Sequence, residues 1–243
     1  MIRVQPRTAP LKERDMDFEL SDELKALQQT VREFCRKEIA PIVAADEKSH
    51  RFQREIIQRM GELGFFGCPI PENYGGNGMG YLAHAIVCEE IAKVSGSLRA
   101  AFNMQTMLTA RTLLKFGNEK QKETLIPKIL RAELLGCFCI TEPNAGSDAG
   151  ALKTTATLKG DHYILNGSKT WITWATVADW GVVFAYTDPS QRYKGMSAFI
   201  VDMHSPGITT KLIEDKLGWH AGPTGEVIFE DAAVPRENLL ARE

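Results

Sequence analysis

Hydrophobic positions along the chain fall into two textures. Up to about residue 134 they recur at threes and fours, the spacing of a helix face. Beyond it they come in short runs cut by turn residues. Leu24, Leu27, Val31, Phe34, Cys35 and Ile39 form one such face. Ser21 is placed to cap that helix, Asp22 and Glu23 suit the positive end of its dipole, and Pro41 closes it. A second helix is predicted over residues 53–63, with Ile56, Ile57, Met60 and Leu63 inward and Gly64 at its end. Two longer helices follow over 82–94 and 98–115, the second capped by Ser97 and stopped by Gly117. The second is apolar on several sides (Phe102, Met104, Met107, Leu108, Leu113 and Leu114 among them), so it belongs at the centre of a bundle. Residues 118–133 read as two short helices broken at Pro127.

After Leu134 the strand-like runs begin at Thr155, Tyr163, Val182, Ala198 and Glu226, and an apolar run at Cys137 precedes them. Lys159-Gly160-Asp161, Asn166-Gly167, Asp188-Pro189-Ser190 and Ser205-Pro206-Gly207 are turn signals between them. The expected fold class is α+β: an N-terminal all-α helical domain over 16–134, then an antiparallel β-sandwich or barrel domain over 135–243. Residues 1–15 read as a flexible leader, because Met16-Asp17-Phe18-Glu19-Leu20 resembles a natural start. Arg3, Arg7, Lys12 and Arg14 lack the apolar core of a secretory signal.

Composition narrows the function classes. In 243 residues, 29 basic side chains meet 31 acidic ones, so there is no electrostatic footprint for nucleic acid. No apolar run approaches the ~20 residues of a membrane-spanning helix. The five cysteines are an odd, scattered set, which argues for reduced thiols in a cytosol-like compartment. Cys137 and Cys139, two apart on a strand, face one side and read as core. The histidines show no metal-ligand spacing, and no metal site is expected.

The stretch with chemistry in it runs from Cys137 to Thr173. An apolar strand enters a loop of small and hydroxyl residues, Thr141-Glu142-Pro143-Asn144-Ala145-Gly146-Ser147. A second strand ends in Thr170-Trp171-Ile172-Thr173. Hydroxyls, amides and an indole at two strand ends suit a flat, polar-edged cofactor, and they also suit two ordinary loops. The glycines of 71–78 do not have dinucleotide spacing and sit in no βαβ frame, so that segment reads as a structural loop. Arg99 is either a solvated first-turn charge or an anchor for a carboxylate.

With those residues in view, the chain resembles the acyl-CoA dehydrogenases, FAD-dependent desaturases of acyl-CoA thioesters. Residues 138–147 and Trp171-Ile172-Thr173 carry the likeness most specifically, and 71–78, Leu217-Gly218 and Val234-Pro235-Arg236-Glu237-Asn238 support it. The resemblance implies FAD as cofactor. Phe138, Cys139, Ile140 and Thr141 would lie along the isoalloxazine edge. Gly146 and Ser147 would lie near the pyrophosphate and the acyl chain. Trp171 would cover the ring away from the substrate, with Ile172 and Thr173 beside it and Thr173 near N5. Ser147 and Arg99 would bind substrate. Gly96-Ser97-Leu98-Arg99 is similar to the segment that holds the distal carboxylate in glutaryl-CoA dehydrogenases. Decarboxylating members usually place a glutamate seven residues earlier, and here that position is Ala92. The family's base comes from a C-terminal helical domain that is expected to be absent, and Glu142 and Glu243 match no family position for it. No residue of this chain is therefore expected to be the base. The implied activity is α,β-dehydrogenation of a short-chain or dicarboxylic, glutaryl-like acyl-CoA. The alternative is an incompetent flavin-binding fragment or subunit that needs a partner chain. Electron-transferring flavoprotein as acceptor, a homotetramer in the complete enzyme, and a cytoplasmic place (the mitochondrial matrix in a eukaryote) follow from the same likeness.

Overall fold

The computed structural model describes residues 18–240, so the leader expected over 1–15 lies outside them. The helical half opens with α1 (Asp22–Phe34), where the Ser21 hydroxyl accepts from the Leu24 amide as the sequence predicts. Val31, Phe34, Cys35 and Ile39 are all buried, the last two on a π-helical continuation over Cys35–Ile39. A short α2 (Val43–Ser49) follows that periodicity does not reveal. In α3 (Arg54–Glu62), Ile57 and Met60 are buried but Leu63 is 39% exposed, because Gly64 turns the chain in the left-handed region at φ 74°.

The two long helices appear as α4 (Gly80–Ala92) and a continuous run of α5 (Gly96–Asn103), a π-helical stretch (Met104–Ala110) and α6 (Arg111–Phe116). The cap of α5 is Ser95, whose side chain accepts from the Leu98 amide. Ser97 is instead buried and bonded to the Glu47 carboxylate. The run is central as predicted, with Phe102 and Leu113 fully buried. Pro127 does not break the last helix: α7 (Glu119–Leu130) runs through it. Proline forfeits one backbone bond there. The buried faces of Ile126, Ile129 and Leu130 and a reciprocal Asn118–Gln121 capping box, both bonds 2.9 Å, outweigh that loss.

The second half is a seven-stranded sheet: β1 (Gly136–Cys139), β2 (Thr155–Lys159), β3 (His162–Thr173), β4 (Trp180–Tyr186), β5 (Met196–Asp202), β6 (Ile208–Leu212) and β7 (Thr224–Pro235). The path is β1-β4-β2-β3-β7-β6, with β5 on β4. Most pairs are antiparallel, as expected, but β1 runs parallel to β4 and so does β2 where Thr155 meets Tyr186, making the sheet mixed. Asn166-Gly167 is not a turn. It lies inside β3 opposite a bulge in β7, where Leu165 to Gly167 spans Ala232 to Phe229. The Asn166 amide donates to the Asp231 carboxylate at 3.0 Å, and the Asp231 amide donates back at 2.9 Å. A second bulge matters more. Lys169 faces Val227 and Ile172 faces Gly225, so β3 carries one extra residue just where Thr170 and Trp171 stand.

One core runs through both halves, from Val31 to Leu240. Cys137 and Cys139 are both in it, as predicted for same-side core residues, with sulfurs 3.5 Å apart. Polar bonds stitch the halves. Gln105 of the π-stretch donates to the Leu134 carbonyl and accepts from the Gly136 amide, which delivers β1 from the helical bundle. Arg54 meets Asp179 at 2.7 Å, and the same carboxylate accepts from the Leu135 amide at 2.7 Å.

Candidate active site

The two strand ends singled out in the sequence meet in space. The Thr170 amide donates to the Thr141 carbonyl at 2.9 Å. Around this contact lies a recess of about 540 Å³ lined by Thr141, Pro143, Asn144, Gly146, Thr170 and Trp171, among others. Its floor is held by a buried ion pair. Lys169, fully buried, donates to Glu142 at 2.7 Å, and Glu142 also accepts from the amides of Lys153 and Thr154 and from the Thr154 hydroxyl. Burial pushes the Glu142 carboxyl up, but the bonds from Lys169, Thr154 and Lys153 outweigh it and hold the group below its usual range. Its oxygens are spent on structure, so Glu142 is a strut of the loop and not a free base.

Trp171 stands on this recess with 60% of its surface exposed and φ at 58°. A bulky side chain in the left-handed region costs roughly 1–3 kcal/mol. The bulge imposes that backbone, and the outcome is an indole presented outward at the recess. Gly146 sits on the opposite loop with open space where a Cβ would be. A flat aromatic wall, a hydroxyl-lined edge and accessible main chain fit a flavin, and the volume lies within the range of ligand pockets.

Two residues on, Thr173 lines a different cavity, of about 510 Å³, with His84, Arg99, Ala100, Asn103, Met104, Met107 and Leu108. Its walls come from α4, α5 and the π-stretch, and they are mainly apolar. His84 donates to or accepts from Asn103 at 2.9 Å and stacks on Phe102, and burial pulls its pKa down. Arg99 therefore stands on an apolar cavity and is not a freely solvated charge.

The remaining expected site residues are distributed unevenly. Cys139 and Ile172 belong to the core, so contact from them to a ligand is a matter of main chain. Phe138 is half-buried with its ring 5.1 Å from Phe184. Ile140 is half-buried, and its carbonyl accepts from Lys169 at 3.4 Å. Ser147 is exposed on the loop after Gly146. Sequence reasoning missed His84 and Asn103, which carry no local signal. It noted Met104, Met107 and Leu108 only as apolar positions of a central helix.

Residues 21–133 match the acyl-CoA dehydrogenase N-terminal domain and 137–232 the acyl-CoA dehydrogenase middle domain. The chain belongs to the acyl-CoA dehydrogenase family. It is 49% identical over 231 residues to a glutaryl-CoA dehydrogenase of Desulfococcus multivorans, a match covering 93% of this chain and 59% of that protein. It is 41% identical over 228 residues to a short-chain specific acyl-CoA dehydrogenase of Clostridium acetobutylicum, covering 94% and 60%. A solved glutaryl-CoA dehydrogenase in complex with glutaryl-CoA superposes with a TM-score of 0.91 at 48% identity, covering 93% of this chain and 58% of that one. The chain thus spans about three-fifths of the relatives it matches. Among the described residues no helix is long and apolar enough to cross a membrane.

Proposed function

We propose that these residues form the flavin and acyl-CoA walls of an enzyme that desaturates a short-chain or dicarboxylic acyl-CoA between its α and β carbons. One observation carries the reading: the last four residues of β3 serve both recesses, Thr170 and Trp171 the polar one and Thr173 the apolar one that holds Arg99. FAD, when bound, supplies the two-electron acceptor. In this reading Phe138, Cys139, Ile140 and Thr141 edge the cofactor, Gly146 and Ser147 take its phosphates and the acyl chain through main chain and hydroxyl, and Trp171 shields one face. Ile172 and Thr173 would flank the ring beside Trp171, with the Thr173 hydroxyl toward N5. Donors fixed near developing negative charge favour the more electron-rich state. Arg99 holds the far carboxylate of a glutaryl-like group, which aligns the α and β carbons by anchoring the distal end.

Removing the α-proton needs a carboxylate within hydrogen-bond reach. Among the described residues none lines the Arg99 cavity, and Glu142 is committed to Lys169 and Thr154. The base is accordingly assigned to a further segment or partner chain, in the complete enzyme a homotetramer passing electrons to electron-transferring flavoprotein. That absence also supports the second reading, a flavin-binding unit that turns over only with such a partner. The two readings separate in an anaerobic experiment. FAD-loaded protein made from this chain by itself is mixed with butyryl-CoA or glutaryl-CoA, and the flavin absorbance is followed. We expect a bound but unbleached flavin, and bleaching once a segment or partner bearing the carboxylate is supplied. Bleaching by this chain unaided would place the base within it and refute the assignment. No flavin uptake at all would remove the functional reading.

A further inference from the structure

We propose that Trp219 is a specificity-determining positioning residue, holding the Arg99 guanidinium flat so that its N–H edge meets a carboxylate at the far end of the acyl group. The proposal rests on the reading of Arg99 as a carboxylate anchor.

The Arg99 Cζ lies 4.8 Å from the centre of the Trp219 ring. Among the described residues Arg99 forms no ion pair and its guanidinium has no hydrogen-bond acceptor, although it lines the cavity shared with Thr173. An arginine in the first turn of a helix gains nothing from the dipole, so something else must fix it. An indole face attracts the cation and leaves the in-plane N–H donors free for a two-point bond to a carboxylate. A carboxylate partner from the protein would neutralise the charge and occupy that edge. The indole does neither.

Trp219 is itself held in place. Its φ is 56°, and a Cβ at Gly96 would come within 2.5 Å of its Nε1, so glycine is what lets the indole dock on the start of α5. The loop that carries it is tied on two sides. Lys216 donates to the carbonyls of Trp219 at 2.7 Å and Gly222 at 2.6 Å. The Glu47 carboxylate accepts from the His220 amide at 2.7 Å and also from the Ser97 hydroxyl, fastening the loop and the first turn of α5 to one point. Yet Trp219 is 49% exposed, so its work is not core filling.

The test uses the complete FAD-loaded protein with its flavin reduced beforehand, so that no turnover occurs, and measures the Kd of glutaryl-CoA and butyryl-CoA by calorimetry. The wild-type protein prefers glutaryl-CoA. Trp219→Leu shrinks that preference about fivefold, the scale of one cation–π contact, by weakening glutaryl-CoA and leaving butyryl-CoA unchanged. Trp219→Phe keeps most of it, and in an Arg99→Met background Trp219→Leu changes the ratio no further. An intact preference in Trp219→Leu, alongside its loss in Arg99→Met, would overturn the proposal while sparing the anchor. Equal weakening of both ligands by Trp219→Leu would reduce the residue to a structural role and overturn it too. A wild-type protein without preference, or an Arg99→Met variant that retains it, would refute the anchor reading and this proposal with it.

Discussion

The recess at Thr141 and Trp171 is built from loops and strand ends, whereas the cavity at Arg99 is built mainly from side chains of helices, with Thr173 at the end of β3 closing it. The first takes its shape from the backbone: a bulge, a left-handed tryptophan and a buried ion pair that braces the loop. The second takes its shape from residues at helical spacing, with methionines that tolerate changes of packing. A rigid wall suits a cofactor that must be aimed the same way each time. An adaptable wall with one cation suits an acyl group whose identity differs between relatives. The difference predicts that substitutions in the first region cost stability or cofactor retention, and substitutions in the second alter selectivity and leave the fold alone.

The severest test of that division is Lys169→Met. It leaves Glu142 buried without its cation, and breaking such a pair costs roughly 3–5 kcal/mol. Urea melts should show that loss, and Glu142→Gln added to it should recover part. An unchanged midpoint would mean the pair does not brace the recess. Next is Arg99→Met. Charged hydrogen bonds contribute about 1.5–3 kcal/mol, so the preference for glutaryl-CoA over butyryl-CoA should fall by ~10- to 100-fold with no change in melting temperature. A destabilised fold with intact selectivity would reverse the comparison. Trp171→Gly sharpens it from the other side. Glycine relieves the positive φ, so the melting temperature should hold or rise while FAD binds about tenfold more weakly. The smallest effect is on the acid limb of stability, because burial of Glu142 works against the bonds that lower its pKa. A lowered native pKa means the unfolded chain binds more protons as pH falls. The stability from Glu142 is therefore complete above the unfolded carboxyl pKa, about 4.3, and is lost as pH drops through the lower folded value. Melts from pH 6 downward should steepen there in the wild-type protein and flatten in Glu142→Gln.

The same contrast explains what the sequence makes legible. The cofactor recess is made of two contiguous stretches, so Thr141, Gly146 and Trp171 stand out by residue type alone. The helical cavity joins His84, Arg99 and Thr173 from distant points, and only Arg99 is odd enough to notice. The fold shows the same limit. The α1 face and its Ser21 cap follow from local spacing, and the structure keeps them. α2 is too short to show a period, and β6 is a polar strand at the end of the sheet path with most of its residues exposed, so neither announces itself. Asn166-Gly167 has turn chemistry but sits opposite a bulge, a fact written in the partner strand β7. Pro127 carries a local penalty that packing at Ile126 and Ile129 overrides. Ser95 and Ser97 are equivalent as caps by type, and only Glu47, far along the chain, decides which one is free to cap. The parallel pairing of β1 with β4 is likewise non-local.

Whether the bulged end of β3 holds a flavin is answered most directly by reconstitution with FAD and measurement of the flavin retained after gel filtration. The wild-type protein should keep stoichiometric flavin, and Trp171→Gly, folded by circular dichroism, should lose most of it. A wild-type protein that emerges colourless, or a Trp171→Gly variant that holds FAD as tightly as the wild type, would contradict the assignment of the recess.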